Sequence, residues 1–267
     1  MSAVVKYLYQ NLGLDATWSA SSEEPTLPVE HLNTHVRGRK VRSTGLDSPW
    51  RLVCDFGSAT AVSALALVDA NVTTSATITI KMHTADSWGT PDFSTTLTPW
   101  DATDVGGVLL KLFSSTQTKR YLAVEITDAT NPDGYYEVGV VFPSPLYTFP
   151  DEAPNDFTWR LVDPSMLSYA PAQTPWTEVR EVYAMTECEW KYLTESHVFG
   201  TLQPVLRTMG RARDLVQTVF SGAPSADAVS KSLNLYGRLT ELPDFEYAFV
   251  SGGNSYTWGP VIFRESR

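Results

Sequence analysis

The chain has 267 residues, of which 43% are hydrophobic and 12% aromatic, enough for one large self-sufficient core or two modest ones, and too apolar for disorder. The net charge of −10 divides evenly between residues 1–150 and 151–267. Neither half is therefore the basic module that binds nucleic acid by neutralising phosphates.

Met1-Ser-Ala-Val-Val-Lys6 lacks the basic and apolar regions of a signal peptide. No run reaches the roughly 18 apolar residues that span a membrane, so no membrane insertion is expected. From Pro49 to Phe142 short strands alternate with turn clusters, the rhythm of an all-β sandwich. Trp50–Phe56 alternates, with Leu52, Cys54 and Phe56 on one face, and Gly57–Thr60 is expected to turn the chain. Val62–Val68 is almost wholly apolar, which predicts burial on both faces. Ala76–Met82 alternates with Ile78, Ile80 and Met82 inward, Tyr121–Thr127 reads as another strand, and Asn131-Pro-Asp-Gly134 is a turn before Tyr135–Phe142.

Prolines 143, 145, 150 and 154 then predict an extended connector. It divides the chain into residues 1–145 and a β-rich assembly domain, residues 146–267. In the second part Thr177–Trp190 reads as one long strand. Thr194 is a candidate N-cap for a helix near 194–209, with Val198, Leu202, Val205, Leu206 and Met209 at helical spacing, Gly210 at its end and a kink at Pro204. Strands follow at Leu215–Phe220, Ser232–Leu239 and Phe245–Val250, and Ser251-Gly-Gly-Asn254 turns the last into a hairpin with Tyr256–Arg264.

Catalytic signatures are missing: there is no Gly-x-Ser-x-Gly elbow, phosphate-binding loop, His-Glu-x-x-His, dinucleotide motif or Cys-x-x-Cys. Neither an enzyme nor a cofactor is expected. Cys54 and Cys188 sit in strand patterns and read as small buried hydrophobes, with a single bridge as the alternative. Asn71-Val-Thr73 has the form of a glycosylation sequon, and reads as a chance match without a secretory signal. His31 and His35 are spaced for a metal only on a helix, which Pro28 and Gly38 oppose, so no metal is expected. Asp101 and Asp104 beside Trp100, and Glu187, Glu189 and Glu195 around Trp190, read as solvated carboxylates rather than a hydrolytic pair. The one basic run, Arg37, Arg39, Lys40 and Arg42, is either a protein interface or a loop paired with nearby acids. Trp88 and Trp100 in loop sequence, with Asn71 at a strand end, have the chemistry of a sugar site: indole faces stack on C–H faces while amides pair with hydroxyls. Core or interface packing is the other reading of those aromatics.

Trp50-Arg-Leu-Val-Cys-Asp-Phe-Gly57, Ala64-Leu-Ala-Leu-Val-Asp-Ala-Asn71, Tyr121–Asp128 and Gly134–Gly139 together resemble the galactose-binding-like jelly roll of the discoidin type. In particular they resemble its version in minor tail proteins of long-tailed bacteriophages, over residues 30–145. Pro143–Leu146, Glu178–Glu181, the helix before Gly210 and Leu235–Leu239 are similar to the C-terminal half of such proteins. A sandwich with one helix is also the build of tail-tube and distal-tail ring domains. The resemblance implies a mainly β fold: a galactose-binding-like jelly-roll sandwich plus a C-terminal β-sandwich domain with one helix. It implies a structural virion protein of the tail tip or baseplate, made in the host cytoplasm. Its partners would be other phage tail proteins and further copies in a three- or sixfold homo-oligomer, with contact to a cell-surface glycan. The alternative function is a carbohydrate-binding, receptor-recognition module.

Overall fold

A computed structural model describes residues 4–99, 107–149, 156–169, 175–220, 233–242, 244–250 and 253–266. The chain is mainly β, with one short helix. Its first part contains β1 (Val4–Leu8), β2 (Thr17–Ala20), a 3₁₀ turn at Val29–Asn33, β3 (Val41–Arg42), β4 (Trp50–Val68), β5 (Thr77–His83), β6 (Phe93–Leu97), β7 (Val108–Thr127), β8 (Glu137–Val138) and β9 (Val140–Ser144). Then come β10 (Leu146–Thr148), β11 (Asp156–Val162), β12 (Met166–Tyr169), β13 (Pro175–Glu178) and β14 (Tyr183–Leu193). A π-helical stretch, Ser196–Leu202, leads into α1 (Gln203–Met209), followed by β15 (Leu215–Phe220), β16 (Leu235–Leu239), β17 (Phe245–Val250) and β18 (Gly253–Glu265).

The first sheet runs β2-β4-β7-β5-β6, with β9 added on β4. The expected turn at Gly57–Thr60 is instead the bend of a single long strand. Gly57 adopts φ +75, and the β4–β7 register shifts between Asp55 and Thr60, so β4 bends without ending. Before the bend Leu52 and Cys54 pair with Val124 and Leu122; beyond it Ala64–Val68 lies between Val108–Leu112 and β9. The two halves enclose the first core, with Trp50, Leu52, Ile78, Ile80, Leu122 and Val124 from one side and Leu65, Leu67, Leu109 and Val141 from the other.

The alternate residues of the distal half explain why Val62–Val68 is apolar throughout. Ala64, Ala66, Val68, Val108, Val140 and Phe142 point away from the first core and pack on Leu8, Val216 and Tyr236. Those three belong to a second sheet, ordered β10-β1-β15-β16-β18-β14-β11, with β17 on β18. The two sheet systems are therefore joined through a buried apolar layer. The proline stretch follows the same logic: Pro143 pairs with Leu65 in β9, and Leu146–Thr148 pairs with Lys6–Leu8, leaving Pro145 alone between two strands. β1, from the start of the chain, lies between β10 and β15.

The opposite face of the second sheet carries its own core, in which Tyr7, Cys188, Trp190, Leu215, Leu235 and Trp258 pack beneath Val198, Leu202, Val205, Leu206 and Met209 of the helical segment. Phe149 stacks on Trp190 at 3.8 Å and 10°, and Trp190 on Trp258 at 5.0 Å and 29°. Pro204 lies inside one continuous helical segment, where the π-helical stretch passes into α1 and its missing N–H leaves out one bond to the preceding turn, and Gly210 ends the helix at φ +56. The expected strand Thr177–Trp190 is divided at residues 179–182, since β12 and β13 pair only with each other while β14 joins the main sheet. Both cysteines are buried and free, and burial pushes the Cys188 thiol up to about 12.

Candidate functional site

Of the residues proposed for sugar binding, the two that are described, Asn71 and Trp88, lie at opposite ends of β5. Asn71 is spent on internal bonds: its Nδ2 donates to Asp133 Oδ2 at 2.9 Å and to the Tyr135 carbonyl at 3.1 Å, and its Oδ1 accepts from the Glu137 N–H at 2.7 Å. It pins the 131–137 segment beside the start of β5, where Asp128 accepts from the Thr73 N–H at 2.8 Å and the Thr73 hydroxyl at 3.0 Å. Trp88 lies beyond the other end of β5, whose seven residues extend about 20 Å. Its half-buried indole donates to Asp86 Oδ1 at 2.7 Å. Asp92 anchors the nearby loop base, accepting from Lys119 Nζ at 2.8 Å with the His83 ring at 3.0 Å. Hydrogen bonds from Lys119 and His83 hold its carboxyl near pKa 2. Trp100, Asp101 and Asp104 lie outside the described residues.

Most of the basic run is paired internally. Arg37 grips Asp69 through two nitrogens and reaches the Ser266 carbonyl with Nη1 at 2.6 Å. It thus ties the first sheet system to the end of β18. Asp69 holds φ +54 to meet it, and the Arg37 carbonyl lies 2.6 Å from where a Cβ on Gly139 would sit. Lys40 Nζ and Arg42 Nη2 each lie 2.6 Å from Glu137, with the Arg42 guanidinium also 4.1 Å above the Tyr135 ring. Arg39 is exposed and has no ion pair among the described residues. His31 sits in the 3₁₀ turn with Nδ1 2.8 Å from the Lys40 carbonyl. The described residues contain no group of three or more potential metal ligands.

Burial alone would raise the Glu137 carboxyl, but the bonds from Lys40 and Arg42 outweigh it and hold it below the usual range. A depressed folded pKa gives stability that is present above the unfolded value of about 4.3 and lost as pH falls through the folded one. Glu137→Gln should therefore cost about 1–2 kcal/mol at pH 7, between exposed and buried pairs because both cations are one-third exposed. Urea titrations should show the gap from wild type closing below about pH 4; a gap constant to pH 2.5, roughly, would refute the pairing.

Between the two sheet systems lies a cleft of about 570 Å³ lined by His35, Arg37, Asp69, Glu181, Asp214, Tyr236, Arg238 and Ser266. Its polar groups are largely engaged with one another. Asp214, 2% exposed, accepts from Arg238 Nε at 2.7 Å and Ser266 Oγ at 2.9 Å. The Tyr236 hydroxyl donates to the His35 carbonyl at 2.8 Å. This network closes around the apolar layer as a polar rim.

The surface features that sequence reading missed lie in the second part. Val36 apart, every exposed large apolar side chain among the described residues lies between positions 159 and 247, including Leu161 at 53%, Val179 at 82% and Tyr192 at 67%. Tyr192 sits at φ +64 where the β14–β18 register shifts, and a bulge of this kind re-aims a side chain outward. Phe199, Tyr256 and Tyr247 form an aromatic row with centroids 5.7 and 5.2 Å apart. Strand periodicity does not mark Val179, in the 179–182 link, or Phe199, in the π-helical stretch, and for the strand residues only the sheet order reveals which face lacks a cover.

No family model and no curated protein matches the chain. Solved structures of carbohydrate-binding modules with a galactose-binding-like fold are similar to about half of it. Chitosan-binding module 1 of a chitosanase/glucanase from Paenibacillus sp. IK-5 is 23% identical, with 52% of this chain and 98% of that one covered and a TM-score of 0.39. A Streptococcus pneumoniae fucose-binding module is 12% identical over 51% of this chain and 95% of that one, with a TM-score of 0.41. The lectin domain of lectinolysin, solved with Lewis B antigen, is 13% identical over 50% of this chain and 95% of that one, with a TM-score of 0.41.

Proposed function

We propose that the protein is a non-catalytic structural subunit that works by assembly, docking to neighbouring protein subunits through its second sheet system. The observation that carries this reading is the concentration of exposed large apolar side chains between residues 159 and 247, against Val36 alone elsewhere in the described residues. Scattered apolar residues need no explanation, but a set confined to one part of a molecule marks a surface intended for burial. The resemblance of both parts of the chain to minor tail proteins supplies the setting: a bacteriophage tail tip or baseplate, with other tail proteins as neighbours. Mass spectrometry of purified particles should find the chain in stoichiometric amount. A chain absent from particles and indifferent to Val179→Ser and Tyr192→Ser in every protein association would end this reading.

A second reading, glycan recognition by the first sandwich, is favoured by the half-buried Trp88 indole, fixed by Asp86 in the loop whose base is closed by the Thr84 N–H donating to Asp92. A planar face held in one orientation is what stacking on a sugar requires. On a glycan array Trp88→Ala should lower binding about tenfold or more, the weight of a stacked aromatic anchor, while leaving the melting temperature unchanged. An array without hits for the wild-type chain would remove this reading and leave the assembly reading intact.

A further inference from the structure

We infer that β11 is a self-complementary edge, on which a second copy of this chain adds its own β11 antiparallel across a twofold axis at Thr158; this deepens the assembly reading by naming one partner. β11 ends its sheet, and among the described residues no strand pairs with its outer edge. Its register on β14 sets Phe157, Trp159 and Leu161 opposite Cys188, Thr186 and Ala184, all three buried. Phe157, Trp159 and Leu161 therefore point to the core side of the sheet. Phe157 packs against that core, but Trp159 is 37% and Leu161 53% exposed. The apolar side of the strand runs past the edge of its own core.

The sequence of β11, Asp156-Phe-Thr-Trp-Arg-Leu-Val162, identifies the occupant. Antiparallel pairing about Thr158 sets Asp156 opposite Arg160 of the second copy, and Arg160 opposite its Asp156. On the other face it sets Phe157 opposite Trp159, twice. Opposite charges, paired aromatics and a central Thr–Thr contact are the stabilising cross-strand combinations. A register centred on Trp159 sets Asp156 against Val162 and Arg160 against Thr158, so it pairs no charge. The Arg160 guanidinium makes no ion pair among the described residues; its nearest polar partner is Met185 Sδ at 3.1 Å. A lone charge on an edge strand ordinarily blocks pairing with another chain. Here the opposite charge lies four residues away on the same strand, so the block is lifted only for a copy in this one register. The resulting interface is isologous, with twofold symmetry.

Sedimentation of the full chain tests this directly. Wild type should approach twice the 29.5 kDa protomer mass at about 100 µM, and dissociate on dilution. Arg160→Asp and Asp156→Arg each place like charges opposite one another twice per dimer. Each should weaken dimerisation by about tenfold or more. The double reversal, Asp156→Arg with Arg160→Asp, restores both pairs and should recover the dimer. Circular dichroism should be unchanged throughout, because Arg160 is exposed. Amides of β11 should gain protection from hydrogen exchange as concentration rises. A chain that stays monomeric, reversals without effect, or a double reversal that fails to recover the dimer would each overturn the self-pairing. Presence in particles is scored separately, so loss of this inference and loss of the assembly reading are distinguishable.

Discussion

Trp190→Ala is expected to cost about 3–5 kcal/mol, the range for removing a fully buried large aromatic. Trp190 is 1% exposed and stacks in a three-ring cluster with Phe149 and Trp258, which also lie 5.2 Å from each other, so its loss removes both the area term and two ring contacts of about 0.5–1.5 kcal/mol each. Against a whole-domain stability of about 5–15 kcal/mol, that is enough to leave the second sheet system partly open. Urea unfolding followed by far- and near-UV circular dichroism would measure it. Trp190→Phe separates shape from chemistry. The indole Nε1 has no hydrogen-bond partner among the described residues, so phenylalanine forfeits volume and no polar contact. Its cost should stay near 1–2 kcal/mol. A phenylalanine variant as unstable as the alanine one would show that the indole nitrogen is bonded in solution.

The second large effect is expected at the layer that joins the two sheet systems. Ala66 is 0% exposed and faces Leu8, Val216 and Tyr236 across the joint. Ala66→Glu forces a carboxylate into a buried layer whose other members are apolar or aromatic. The penalty is about 3–5 kcal/mol, as for an unpaired buried charge. Because the first core lies on the other side of β4, the damage should begin at the joint. Limited proteolysis should cut near Pro145 before either core is digested, and a single urea transition should split in two. Thr116→Glu, exposed on β7, is the matched control and should change stability by no more than about 0.5 kcal/mol. If Ala66→Glu costs as little as this control, water already enters the joint.

What was legible in the sequence followed from local pattern. The alternation at Trp50–Phe56 and Ala76–Met82, the apolar run at Val62–Val68 and the helical spacing before Gly210 each depend on one element's contact with a core, so each was readable. The bend at Gly57–Thr60 was misread as a turn, because a glycine with positive φ serves a bulge and a turn equally well. The divided strand at 177–190 was missed because periodicity continues through a point where the chain changes sheets. At the candidate sites, residue type revealed chemistry but not availability. Asn71, Arg37, Lys40 and Arg42 all have the right groups, and the structure commits them to Asp133, Asp69 and Glu137.

The sequence by itself determined that the chain is mainly β, that Val62–Val68 is covered on both sides, and that neither half is basic, since these depend on composition and on periods of a few residues. Only the tertiary structure decided which surface Ala64, Ala66 and Val68 meet, that β1 pairs with strands more than a hundred residues away, and that Trp159 and Leu161 face the core side yet stay exposed. The physical reason is that strand pairing and sheet stacking are non-local: a strand's pattern states that it has an inner face, while the order of the sheet decides what, if anything, covers that face.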